Sequence, residues 1–424
     1  MKNEDGDHTK RMSHPFLRRV VLRNYKSIAA CDLKLGPLVF LVGPNGSGKS
    51  NFLDALRLVS DGLSTPFDHA IRERGGIDDV RRRSTGHPHN FGIRLEMTLA
   101  RTGQHASLAF EVSAKSNGAF EIKEEQCFIE AQPPLFSPTQ QPRAAAHYTV
   151  RRGNVVDSSV ASPPVGSADR LYLVTVSGIA DFRPLYDELS SMSFYNLNPE
   201  QIREVQPPDV GRLLARDGRN LASVLGRLQQ EAPDAVQQVV AYLSRIVADI
   251  KDVERQAVAN KETLLFRQQV KGSAYPWKFF ANSMSDGTLR ALGVLVALAQ
   301  GTDRTHPVSL VGIEEPEVAL HPAASGVLFE ALREASFHTQ VIVTSHSPDL
   351  LDSDEVNEDA ILAVTSDSGV TQIGAISEVG KSSLREHLYT AGELLRMAQL
   401  EPDEASRMLA GEQLDLFEPL NSVD

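Results

Sequence analysis

The run Gly43-Pro44-Asn45-Gly46-Ser47-Gly48-Lys49-Ser50 fits G-x-x-x-x-G-K-[ST], follows an apolar stretch over 37–42 and precedes a helix-like stretch over 50–56. Strand, glycine loop and helix together form the context in which backbone N–H groups turn inward on a phosphate and the helix adds the positive end of its dipole. In such a loop Lys49 reaches the β- and γ-phosphates as a point charge, and the Ser50 hydroxyl holds Mg²⁺. The candidate ATP-binding residues are therefore 43–50 with the adjoining Asn51. Far along the chain, the apolar run 308–313 ends in Glu314-Glu315-Pro316-Glu317, and a second apolar run, 340–345, ends in His346. A buried strand holds acids rigidly at its carboxyl end, where ligands collect in parallel sheets. Between loop and acids, Ser283-Met284-Ser285-Asp286-Gly287-Thr288 opens a helix predicted to run to about Ala299.

The opening Asn24-Tyr25-Lys26-Ser27-Ile28, followed by 43–56, resembles the first strands and phosphate loop of RecF-, SMC- and OLD-type ATPase heads. Met284-Ser285-Asp286-Gly287-Thr288 resembles the ABC signature L-S-G-G-[QE], with Ser285 and Gly287 in the two places that meet a γ-phosphate. Residues 315–322 read E-P-E-x-x-L-H-P, the form seen in RecF- and OLD-type ATPases rather than in transporters. What the resemblance implies is an α/β fold: an ABC-type head with a P-loop sheet core and an antiparallel β lobe, carrying a mixed α/β insert between Walker A and signature. It implies that Glu314 holds Mg²⁺ through water, that Glu315 orients or deprotonates the attacking water, and that His346 is the switch that touches the γ-phosphate. Glutamate replaces the usual aspartate at 314. One copy of each motif per chain implies an ATP-dependent homodimer, each chain offering Ser285 and Gly287 to the nucleotide held by the other. The likeness covers about 16–95 and 282–351, and the glutamine of the Q-loop finds no place in it.

The elements that must carry these residues are legible in outline. Residues 1–15 read as a disordered leader, 16–97 as the first half of the head, 98–275 as an inserted lobe, 276–377 as the second half, and 378–424 as C-terminal helices and tail. Within the insert, a Pro- and Ser-rich stretch over 132–168 reads as a flexible loop, followed by a helical module with Asn220 as an N-cap. A hairpin is predicted around Asn260-Lys261 and another across 366–369. No heptad pattern is sustained, so long coiled-coil arms are not expected. The stretch after His346 is shorter than the Toprim domain of OLD-type nucleases, so intrinsic nuclease activity is not expected either.

A net charge of −12 argues against a general nucleic-acid coat and leaves local patches. Arg72, Arg74, Arg81, Arg82 and Arg83 form one such run, readable as a phosphate contact or, more often, as a solvated loop. The two cysteines, Cys31 and Cys127, make no disulfide framework and suit a reducing cytoplasm. The longest apolar run, 291–299, is half a membrane span, so no membrane contact is expected. Near the end, Gln413-Leu414-Asp415-Leu416-Phe417 resembles the peptide with which bacterial replication and repair proteins dock on the sliding clamp; the alternative is that its apolar residues pack back on this chain. The composite expectation is an ATP-hydrolysing switch in DNA maintenance, repair or phage defence, with DNA and an effector protein as candidate partners. The alternative is a nucleotide-gated scaffold for an effector that never touches DNA.

Overall fold

The strand Leu38–Val42 is apolar along its whole length because both of its faces are covered. Val39 and Leu41 pack in one cluster with Phe52, Leu53 and Leu56 of the helix Lys49–Ser64, whereas Phe40 and Val42 pack in a second with the helices Asp286–Ala299 and Ser325–Ala335. Its neighbours repeat the split: Ile342 joins the first cluster and Val341 and Val343 the second, just as Leu310 joins the first and Val311 and Ile313 the second. Near-continuous apolar strands are what a parallel sheet buried on both sides requires.

The computed structural model describes residues 15–84, 88–131, 144–302, 308–353, 355–409 and 414–417. Among these runs a sheet of 13 strands. Its parallel half is ordered Ile361–Asp367, Leu38–Val42, Gln340–Ser345, Leu310–Glu314, Ser193–Tyr195. Its antiparallel half is ordered Asn154–Ser158, Ala144–Arg151, Phe120–Glu130, His105–Ala114, Asn90–Thr98, Leu17–Tyr25, Ile28–Lys34. A hairpin, Ile361–Asp367 with Val370–Ala375, joins the halves, because its second strand meets Ile28 at Thr371. A separate three-stranded sheet, Ile250–Val258, Lys261–Gln268 and Trp277–Phe280, packs on the helices Leu221–Glu231 and Pro233–Ile246. The fold is α/β, as the motifs imply.

Several local expectations change. The stretch read as a loop over 132–168 contains the strands Ala144–Arg151 and Asn154–Ser158, while 132–143 lies outside the described residues, as does most of the expected leader. Ala146, Tyr148 and Val150 alternate inward, and Arg152 and Gly153 turn at positive φ (48° and 79°), a hairpin signal masked by the Pro- and Ser-rich flanks. Asn220 stands at the N-cap position but caps nothing with its side chain. Its amide accepts from Ala215 N at 2.7 Å and donates to Asp209 at 2.8 Å, bracing the loop before the helix instead.

Four of the five arginines in the run are paired within the chain. The Arg74 guanidinium is buried, donating to Asp54 at 3.0 Å, Asp61 at 2.7 Å and Ala70 O at 2.7 Å, while Arg72 pairs with Asp68, Arg81 with Asp78 and Arg83 with Asp79. Asp54 is the hub: Tyr25, Lys26, Arg57 and Arg74 all reach it. Burial would raise its pKa, but Arg74 and Lys26 outweigh burial and hold it below the usual carboxylate value. The phosphate-contact reading of this run therefore loses Arg74, whose charge is consumed in fastening the first helix.

The terminal pentapeptide also packs inward. Gln413 lies outside the described residues, but Leu416 is buried over Gly92, with its carbonyl accepting from Arg94 at 3.0 Å and the Leu414 carbonyl from Arg23 at 3.1 Å. Of the two readings of that peptide, docking on its own sheet is the one the structure adopts.

Within the antiparallel half, Glu125 is fully buried and accepts from Tyr148 Oη at 2.6 Å, Tyr172 N at 2.6 Å and Leu173 N at 3.0 Å. Burial pushes its pKa from 4.5 up to about 7 despite those donors. A raised folded-state value means that, between about pH 4.5 and 7, the unfolded chain loses this proton first, so stability falls as pH rises through that window, by at most about 1.4 kcal/mol per pH unit. Denaturant unfolding should show this slope in the parent and a flatter one in Glu125→Gln; equal slopes would remove Glu125 as the cause.

Candidate nucleotide-binding site

Strand register assembles the site. Val42 stands opposite Ser345, and Glu314 opposite Thr344, in parallel ladders. The loop at Gly43, the acids at 314–315 and His346 therefore leave the same edge of three adjacent strands, at their carboxyl ends.

The loop itself is shaped for an anion. Gly46 and Gly48 hold φ of 77° and 105°. At Gly48 a Cβ would also stand 2.1 Å from Thr371 Oγ1, so no other residue fits. Pro44, Asn45, Gly46 and Ser50 are exposed, whereas Ser47 Oγ is buried without a partner. Lys49 Nζ folds over its own loop, donating to Gly43 O at 2.7 Å and Pro44 O at 3.0 Å. Burial pushes the Lys49 pKa down, while Glu315 and Glu317 pull it up. An orphan hydroxyl, inward-turned backbone and a lysine parked on carbonyls fit a polyphosphate that would satisfy all three. Asn51 turns away from the loop mouth, donating to Ser27 Oγ at 2.6 Å.

The acids sit in a strained, charge-dense turn. Glu315 has φ 46°, rare for a non-glycine residue and held by Glu315 N donating to Thr344 O at 2.9 Å. His346 Nδ1 lies 3.1 Å from Glu315 Oε1, at ion-pair distance but without hydrogen-bond geometry. Glu317 is buried and accepts from Ser345 Oγ at 2.6 Å; burial raises its pKa, partly offset by that bond, and its second oxygen has no partner. Glu314 Oε1 accepts from Arg216 at 2.7 Å, and Glu314 O from Arg290 at 3.4 Å. Among the described residues no three His, Cys, Asp or Glu side chains converge as a metal cage. Ser50 and Glu314 are the residues that could offer the one or two hard oxygens that Mg²⁺ takes from protein when phosphates provide the rest.

Ser285 caps the helix Asp286–Ala299, its Oγ accepting from Thr288 N at 3.2 Å, and Ser285 and Asp286 are exposed. Gly287 lies so close to Ala319, in the turn after the acids, that a Cβ would stand 2.3 Å from Ala319 O. No hydrogen bond or ion pair joins Ser285 or Gly287 to residues 43–51 among the described residues; register groups Lys49, Glu314, Glu315 and His346, and the signature helix meets that edge at Ala319 and, through Arg290, at Glu314.

Four residues escape the motif reading. Thr371 donates to Ser47 O at 2.8 Å and shares a 2.7 Å contact with Ser27 Oγ, buttressing the loop from a hairpin that no motif marks. Arg290 is a lone cation in a helix otherwise buried from Leu289 to Ala299, which is a usable signal; Glu314, Glu315 and Glu317 partly offset the burial that lowers its pKa. Arg216 had no sequence signal. Asn196, at the end of the edge strand beside the acids, is the amide that emerges there in the absence of a recognisable Q-loop glutamine.

Fold and site together define a P-loop ATPase of the ABC class, RecF- and SMC-like. The family profile described as "AAA domain, putative AbiEii toxin, Type IV TA system" matches residues 38–352, and the chain belongs to that family. It is 45% identical over 59 residues to the DNA replication and repair protein RecF of Vibrio vulnificus, covering 14% of this chain and 16% of that one. It is 38% identical over 89 residues to RecF of Gloeobacter violaceus, covering 20% and 23%. The chain thus spans less than a quarter of the length of either relative. A crystal structure of the SmcHead bound to the C-winged helix domain of ScpA aligns with a TM-score of 0.55 at 12% identity, over 87% of this chain and 100% of that one, a likeness of fold. No helix among the described residues is long and apolar enough to cross a membrane.

Thr371→Val leaves Ser47 O unpaired and should weaken ATP affinity about fivefold, the order of one lost hydrogen bond. Titration with a fluorescent ATP analogue reads this, and unchanged affinity would show that the hairpin does not brace the loop.

Proposed function

We propose that this chain is a nucleotide-driven switch that binds Mg²⁺ and ATP at 43–50, hydrolyses the γ-phosphate, and pairs head to tail with a second copy while ATP is bound. The convergence of Lys49, Glu314, Glu315 and His346 at one sheet edge carries the reading. Lys49 would leave the Gly43 and Pro44 carbonyls for the β- and γ-phosphates. Glu315, aimed by its positive φ and the adjacent imidazole, would take a proton from water as the water oxygen bonds to the γ-phosphorus and the bond to the ADP oxygen breaks. Ser50 and Glu314 would hold Mg²⁺, which would supply charge neutralisation for the triphosphate. His346 would sense the γ-phosphate.

Ser285 and Asp286 are exposed and unlinked to the loop of their own chain, which suits presentation to a partner copy with two nucleotides at a symmetric seam. Shifting such an equilibrium from nearly all open to nearly all closed needs about 5.5 kcal/mol of differential binding, which two γ-phosphates touching both chains would provide. The RecF relatives, named DNA replication and repair proteins, support a role in DNA maintenance or repair. A second reading, a nucleotide-gated scaffold acting on a protein effector without touching DNA, draws support from the net charge of −12 and from the internal pairing of Arg72, Arg74, Arg81 and Arg83. DNA affinity that falls steeply with added salt and depends on ATP would favour the first reading, and its absence the second.

Lys49→Ala should abolish nucleotide binding, whereas Glu315→Gln should bind ATP and accumulate as a dimer. Light scattering with and without ATP tests this; a Glu315→Gln protein that binds ATP yet keeps monomer mass would rule out the paired state.

A further inference from the structure

Arg216 occupies the place that the foregoing reading reserves for a metal ion. Its Nη2 donates to Glu314 Oε1 at 2.7 Å, and no motif or family likeness accounts for it. The position of the arginine is set by backbone: Asn196 N donates to Arg216 O at 3.0 Å and Asn198 N to Asp217 O at 3.0 Å, which ties its segment to the end of the strand beside the acids. Its side chain is half exposed, at 46%, whereas that of Glu314 is 18% exposed. The carboxylate is therefore the fixed member of the pair and the guanidinium the one with freedom to leave.

Space for that departure exists on both sides. A cleft of about 570 Å³ is lined by Asn196, Asn198, Arg216, Asp217, Arg219 and Arg290. A second cavity of about 460 Å³, also lined by Arg216, includes the half-exposed carboxylate of Glu73. Arg290 already donates to the Glu314 carbonyl, so a third cation at this residue is held only by what the Glu314 side chain can offer. Mg²⁺ demands near-ideal octahedral oxygen geometry at about 2.0–2.1 Å, directly or through a water. A guanidinium seated on Oε1 occupies that oxygen and repels a divalent charge arriving beside it.

We propose that Arg216 is a built-in counter-cation for Glu314, competing with the divalent metal ion for this carboxylate, so that metal loading expels the guanidinium from the acid strand. The proposal rests on Glu314 being the metal's protein ligand. Without metal, Arg216 keeps the partly buried Glu314 carboxylate charge-paired and the edge strand drawn against it; with metal, the segment carrying Arg216 is released. Nucleotide state at the loop is thereby transmitted to the chain between the edge strand and the helix Leu221–Glu231.

The test is binding of a non-hydrolysable fluorescent ATP analogue across a Mg²⁺ titration in the parent, Arg216→Ala, Arg216→Lys and Glu314→Gln. Competition predicts that the Mg²⁺ midpoint falls about fivefold in Arg216→Ala, the order that a half-exposed ion pair supplies, with Arg216→Lys in between. If Arg216→Ala and Arg216→Lys leave the midpoint unchanged or raise it while Glu314→Gln raises it, the competition is overturned and the metal assignment stands. If Glu314→Gln leaves the midpoint unchanged, the metal assignment itself fails.

Discussion

Because Val42 faces Ser345 and Glu314 faces Thr344, three strands drawn from distant parts of the chain end together, and each end carries one component of the chemistry. In a strand the side-chain period is two, so a slip of one residue would turn every side chain to the opposite face. It would move Phe40 and Val42 out of one apolar cluster and into the other, along with every partner they touch. The two-sided core therefore protects the register, and the register protects the site. Hydrophobic burial, which is not directional, acquires direction here because two different packings must be satisfied by alternate residues of the same strand.

Charge is managed at that edge by pairing rather than by exposure. Lys49 is a buried cation and Arg290 a partly buried one, and Glu315 and Glu317 oppose the effect of burial on both of them. Of the acids Glu317 lies deepest, with a Ser345 hydroxyl on one oxygen and no hydrogen-bond partner on the other. Removing one member of such a set leaves its neighbours uncompensated, which costs more than the pair itself contributes. Asp54 does the same work one layer back. By gathering Tyr25, Lys26, Arg57 and Arg74 it binds the first helix to the first strand, and it consumes cations that would otherwise have been available to an external anion.

The hairpin Ile361–Asp367 with Val370–Ala375 is where the two halves of the sheet share residues. Ile361–Asp367 extends the parallel ladder beside Leu38–Val42, and Thr371 in the return strand touches both Ile28 and the phosphate loop. A single threonine thus contacts the antiparallel half and the nucleotide loop together. Arg216 reaches the opposite side of the site from the insert, so the loop and the acids are each held by an element that lies outside the motifs.

The glycine run between a strand and a helix and the apolar runs ending in charge were legible in the sequence because each is a local pattern, and the α/β class followed from the family those motifs resemble. The helix opening at Ser285 was legible for the same reason. Local patterns failed where composition misled, as over 144–158, and where a plausible cap residue such as Asn220 found better partners elsewhere. The inward docking of Leu416, the capture of Arg74 by two aspartates, the bracing by Thr371 and the hold of Arg216 on Glu314 were decided by tertiary structure only. Each is a contact between residues far apart in the chain or dependent on which face a strand presents, and such contacts come into being only when the two apolar clusters close and set the register of the strands between them.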